Sequence, residues 1–183
     1  MRLAPFALIL MFTAIVSARC AFADVQVGRA APGLVVQELN GQTFDLASLR
    51  GKVVIINFWA TWCTPCRSEM PAFSRFYRQY HARGVEMIGL SVDRSHERSD
   101  VAQVMPSLGY PVAMLDDAQT DGFGDPDSIP ETFIVDRAGV VRAWFTPDKI
   151  TVTDKVLADS VVPLLATGTA AGRQTVPSVS ATH

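Results

Sequence analysis

VVIINFWATWCTPCRSEMP, Val53 to Pro71, changes character halfway along. Its first seven residues are apolar except for Asn57, the composition of a central strand covered on both faces. From Thr64 a helical period takes over: Met70, Phe73, Tyr77 and Tyr80 recur on one stripe, while Arg67, Ser74, Arg75 and Arg78 fall mostly outside it. A helix from Thr64 to about Ala82 is therefore expected. The passage between strand and helix holds Cys63 and Cys66, and two cysteines three positions apart can close a redox disulfide, supply half a metal site or staple a loop. Pro65 suits a first helical turn, where its missing N–H is no loss. Cys63 then stands at the helix N-terminus, where free N–H groups and the macrodipole favour a thiolate. Cys66, one turn inside, is expected to be more buried. An exposed, activated sulfur followed by a shielded one is an asymmetry that an inert staple does not need.

Working outward, Val85 to Val92 reads as the next strand, so strand, helix and strand make a βαβ unit with parallel pairing. Upstream, Leu34 to Leu39 and Gln42 to Leu46 flank Asn40-Gly41, a two-residue hairpin signal, before Ser48 to Lys52 turns the chain. Downstream, Ser99 to Leu108 is expected to be a helix and Tyr110 to Leu115 a short strand. DDAQTDGFGDPDS, Asp116 to Ser128, is rich in Asp and Gly and reads as a surface loop. Glu131 to Val135 and Val140 to Phe145, joined by Asp136 to Gly139, form an antiparallel hairpin, and Ile150 to Leu165 a closing helix. No internal repeat is visible.

The ends differ from this body. Arg2, the apolar run Leu3 to Val16 and the small-x-small Ala21-Phe22-Ala23 have the layout of a cleaved signal peptide over residues 1–23. The apolar run of 14 residues falls short of the roughly 20 that a helix needs to cross a bilayer. Arg19 argues against lipidation of Cys20, because a small residue belongs before a lipidated cysteine. A mature chain starting at Asp24 keeps Cys63 and Cys66 alone of the three cysteines, and an oxidising compartment would join them unless something reduces them. Its 14 basic and 18 acidic residues give a net charge of −4, with no long basic run, so nucleic acid is not an expected partner. Residues 24–166 are long enough for one domain with a real core. Residues 167–183 are small and polar and are expected to be disordered.

WATWCTPCRSEMP resembles the active-site segment of thioredoxin-fold proteins, and in detail that of the exported TlpA/ResA-like and cytochrome-c-maturation thiol-disulfide oxidoreductases. The similarity extends upstream through GRAAPGLVVQELNGQTFDLASLRGKVVIINFWATWC and downstream to IPETFIVDRAGVV, and covers Gly28 to Leu165. It implies an α/β thioredoxin fold: a central mixed sheet flanked by helices, with an N-terminal β-hairpin and a central helix–strand insertion. It implies a redox-active Cys63–Cys66 disulfide, and makes Pro130 the cis-proline facing it, although only about 5% of X–Pro bonds are cis. Pro71 matches a proline that kinks the active-site helix. Glu69 corresponds to a glutamate that tunes the cysteines and moves protons. Trp62, Thr64, Pro65 and Ile129 are assigned to the substrate groove. Trp59 reads as core, Asn57 as a core amide, and His81 and His96 as surface residues. Glu131 either borders the groove or lies on the loop surface. The sequence departs from the family at GFGDPDSIPETF, Gly122 to Phe133, which is longer and more acidic than the usual approach to Ile-Pro and bears on substrate specificity.

The resemblance implies reduction of disulfides in exported proteins of the periplasm, such as the heme-attachment cysteines of apocytochromes c or copper-ligating thiols. No cofactor is expected. The partners would be the disulfide-bearing substrates and a membrane protein donating electrons, and the protein is expected to be a monomer. Two other readings are open. A Cu(I) chaperone on a related fold would carry CxxxC and a downstream histidine, whereas this chain has CxxC and histidines only at 81, 96 and 183. A thiol peroxidase would carry Pro-x-x-x-Thr-x-x-Cys, which neither cysteine has. Four ligands for a structural zinc are likewise not visible, and no metal is expected.

Overall fold

A computed structural model describes residues 25–166. The expected signal peptide and C-terminal tail lie outside the described residues. Seven strands, β1 (Leu34–Glu38), β2 (Thr43–Asp45), β3 (Val53–Trp59), β4 (Val85–Ser91), β5 (Val112–Asp121), β6 (Glu131–Val135) and β7 (Val141–Phe145), form one sheet in the order β2-β1-β5-β4-β3-β6-β7. Three helices accompany it: α1 (Thr64–Tyr80), α2 (Arg98–Leu108) and α3 (Asp154–Ala166).

β3 is buried along its whole length and pairs in parallel with β4 and antiparallel with β6, so it can be apolar on both faces. Its side chains alternate. Val53, Ile55 and Trp59 join a core with Phe73 and Tyr77 of α1, Leu108 of α2 and Leu157 of α3. Val54, Ile56 and Phe58 join a second core with Val36, Phe44, Leu90 and Phe133. β3, α1 and β4 thus form the expected parallel βαβ unit, and α2 with β5 forms the expected insertion. The sheet is mixed, as the resemblance implies.

α1 passes at Tyr80 into a 3-10 turn, His81–Arg83, which Gly84 closes at φ +97° in the left-handed conformation. Pro71 lies inside α1 and can give no N–H to the carbonyl of Arg67. Ser74, expected outside the apolar stripe, is buried: its hydroxyl donates to the carbonyl of Met70 (2.8 Å), so the polar group is satisfied locally.

The longest departure from expectation is β5. Asp116 to Ser128 reads as a loop, yet β5 runs on to Asp121. Its first residues pair in parallel with β4, and its later ones pair antiparallel with β1 through two register shifts. The partner strand, not the composition, makes this polar stretch extended. At the opposite side of the sheet, residues 28–31 bond to the turn and first residue of β7: Gly28 N–H donates to the Val141 carbonyl (2.8 Å), Val141 N–H to Arg29 (2.9 Å) and Ala31 N–H to Gly139 (2.9 Å).

Gly89 of β4 packs against the tryptophan that closes β3. A methyl group there would lie 3.0 Å from Trp59 Nε1 and 3.2 Å from Tyr110 Cε2. Gly89→Ala is expected to cost about 1–3 kcal/mol by overpacking, read as a lower denaturation midpoint at unchanged slope. An unchanged midpoint would show that the Trp59–Tyr110 contact yields freely.

Candidate active site

β3 delivers the chain to a turn that α1 leaves at once. Trp59 accepts the N–H of Val92 (2.9 Å), and Cys63 N–H donates to the carbonyl of Ala60 (3.2 Å). Between them, Asp93 takes three donors: Thr61 N–H (2.9 Å), the Thr61 hydroxyl (2.6 Å) and the Ser91 hydroxyl (2.6 Å). Asp93 is fully buried, and its carboxylate ties the turn to the end of β4. Neither Asp93 nor Thr61 stands out in the sequence. Their only signal is an acid directly after an apolar strand, and the partner lies 32 residues away.

Cys63 is the N-cap of α1, extended at φ −81° and ψ 101°, and its sulfur accepts the N–H of Cys66 at 3.2 Å. Pro65 occupies the first turn, as expected. The two sulfurs are bonded, at 2.01 Å. The expected contrast in exposure is absent. Cys63 and Cys66 are 5% and 2% exposed, because the disulfide packs into the core with Met70 and Phe73. What distinguishes the sulfurs is the helix N–H aimed at Cys63.

Thr64 and Pro65 are exposed, and Trp62 stands out at 66% exposure. A groove of about 520 Å³ runs from Trp62 and Val92 to Asp125, Asp127 and Ile129. Trp62 and Ile129 therefore share one groove. Thr64 and Pro65 are not among its walls. Pro130 is buried, and the Ile129–Pro130 peptide is cis.

Glu69 is buried on α1, three positions after Cys66. Its Oε1 accepts Val152 N–H at 2.7 Å, while Oε2 has no hydrogen-bond partner among the described residues. Burial raises its pKa, and the Val152 N–H opposes that in part. Asn57 is a core amide, donating to Thr132 Oγ1 at 2.9 Å. Trp59 is fully buried, and His81 and His96 are exposed. Glu131, left open between groove and loop surface, is on neither. It opens β6 as a buried carboxylate on the face of the second core, where Oε1 accepts Trp144 Nε1–H at 2.6 Å.

A mixed sheet with a CxxC disulfide capping the helix after its central strand defines the class: a thioredoxin-fold thiol-disulfide oxidoreductase. Residues 27–144 match the AhpC/TSA family. The thiol-disulfide oxidoreductase ResA of Bacillus cereus is 37% identical over 123 residues, 66% of this chain and 71% of its own. ResA of Bacillus subtilis is 33% identical over 138 residues, 74% of each chain. Among solved structures, a thioredoxin-family thiol:disulfide interchange protein from Chlorobium tepidum superposes with a TM-score of 0.62 at 28% identity, covering 78% of this chain and 99% of that one. The chain belongs to the AhpC/TSA family of the thioredoxin superfamily, as a ResA-like thiol-disulfide oxidoreductase.

The raised pKa of Glu69 has a signed consequence. A carboxyl that holds its proton more tightly when folded contributes stability that is complete below its unfolded pKa, about 4.3, and is lost as the pH climbs through the folded value. Wild type should therefore lose stability relative to Glu69→Gln over the pH range that opens above about 4.3. Urea midpoints of both proteins across that range check this, and a constant offset at every pH would refute it.

Proposed function

We propose that the protein reduces disulfides of exported proteins in the periplasm, with Cys63 as nucleophile and Cys66 as resolving thiol. The observation that carries the reading is the Cys66 N–H held on the Cys63 sulfur at the start of α1, which favours a thiolate there over one at Cys66. In the reduced protein the Cys63 thiolate attacks one sulfur of a substrate disulfide. That S–S bond breaks and the other substrate sulfur leaves as a thiolate. Cys66 then gives up its proton and attacks Cys63, releasing the second substrate sulfur and re-forming the Cys63–Cys66 bond. The substrate gains two electrons and the enzyme loses two. Glu69, one helical turn from Cys66, is the acceptor proposed for the Cys66 proton. Trp62, Thr64, Pro65, Ile129 and Pro130 are proposed to receive the substrate chain around the sulfurs. Apocytochrome c or copper-site cysteines are the proposed substrates, and a membrane protein the proposed electron donor. The signal-like residues 1–23 support export.

Cys66→Ser is expected to accumulate a mixed disulfide with a protein substrate, and Cys63→Ser to trap little. Glu69→Gln should slow the second step without slowing the first, as read by single-turnover quenching. Equal trapping by both serine variants would remove the assignment. Direction is tested separately by equilibration against dithiothreitol. A potential nearer about −270 mV than about −120 mV is expected of a reductase, and a value at the upper end would make the protein an oxidant.

A further inference from the structure

We infer that a cavity beside the active site accepts a basic side chain of the protein substrate, with Glu131 as the specificity-determining residue. The inference rests on the proposed protein-substrate reading. The cavity, of about 350 Å³, lies on the face of the second core, between Phe123, Phe133 and Trp144 on one side and the loop carrying Asp125 and Asp127 on the other. Asp125, Pro126 and Asp127 also wall the groove at Trp62. The two hollows therefore share a partition, and a chain lying in the groove has the cavity beside it.

Three observations point to a cation as occupant. Glu131 is only 7% exposed and follows directly on Pro130. Its Oε1 is fixed by Trp144 Nε1–H, and no hydrogen bond to its other oxygen is found among the described residues, although the residue lines the cavity. Asp127 is close enough for its charge to act on Glu131, and among the described residues no lysine, arginine or histidine lines the cavity to offset the two. Finally, no three acidic, histidine or cysteine side chains converge to hold a metal ion among the described residues. The carboxylates instead share the lining with Val25, Phe123 and Phe133. An aliphatic stem ending in a guanidinium or ammonium matches that mixed lining, since the stem covers the apolar surface and the head meets the carboxylates. Trp144 already accommodates one such group on its ring: Lys149 Nζ lies 5.4 Å from the centroid, although Lys149 does not line the cavity.

The test uses the full-length chain with Cys63→Ser and Cys66→Ser, which binds without exchanging. Fluorescently labelled cyclic peptides, each closed by one disulfide, carry either arginine or citrulline at each position flanking the cysteines. At one position the arginine peptide is expected to bind about tenfold tighter than its citrulline twin. Adding Glu131→Gln, which keeps an acceptor for Trp144, should abolish the preference, and Asp127→Asn on the exposed loop should weaken it. Equal affinities at every position in the parent, or a preference that survives both substitutions, overturns the inference. Exchange of the unsubstituted protein with hydroxyethyl disulfide is measured alongside. Its absence counts against the dithiol function and leaves the peptide comparison intact, so the two failures are told apart.

Discussion

A helix that starts on a cysteine has one of its unbonded N–H groups already pointed at sulfur. The Cys66 N–H on Cys63 Sγ is that contact, and the rest of the site follows from the need to make it. The strand must end at Trp59, the turn must spend only three residues before Cys63, and a proline must fall where the helix loses nothing by it. A turn so short cannot hold itself. It is anchored instead from the end of β4, by Val92 N–H on Trp59 and by Asp93 on Thr61, so the sulfur's position is set by the parallel pairing of the two central strands.

The buried carboxylates near this junction are of two kinds. Asp93 has three donors on its two oxygens, so both are satisfied in the interior. Glu69 has one donor, from Val152 in the segment before α3, and a second oxygen with none. Such a group holds a proton more tightly than usual, because only one hydrogen bond favours its charged form against burial. The first two turns of α1 therefore carry a sulfur that accepts a helix N–H and a carboxyl whose anion is disfavoured.

Most of the architecture is legible in the sequence because the central elements signal themselves. VVIINFW has no period other than continuous apolarity, the α1 stripe is unambiguous, and the β6–β7 hairpin has its turn residues in place. The second half of β5 is not legible, since DDAQTD is polar and becomes a strand only by pairing with β1, some 80 residues earlier. The site divides in the same way. The cysteines, Pro65 and Glu69 sit where helical spacing puts them. The burial of Cys63 follows from the packing of the disulfide against α1, and that of Glu131 from its β6 position beneath Trp144, neither of which local sequence encodes. Asp93 belongs with these, because its meaning depends on Thr61 across the strand ends.

The segment bonded at the start of β7 bears on how such a protein survives its own trade. An enzyme of disulfide exchange meets other chains whose strands have yet to find partners, and an open sheet border would invite them to add on. Residues 28–31 bond the backbone at Val141, where β7 begins, and at Gly139 before it, and the opposite border, β2, is a mere three residues long. With one border bonded at its start and the other cut short, the sheet offers less template for recruitment into aggregates than two long open borders would.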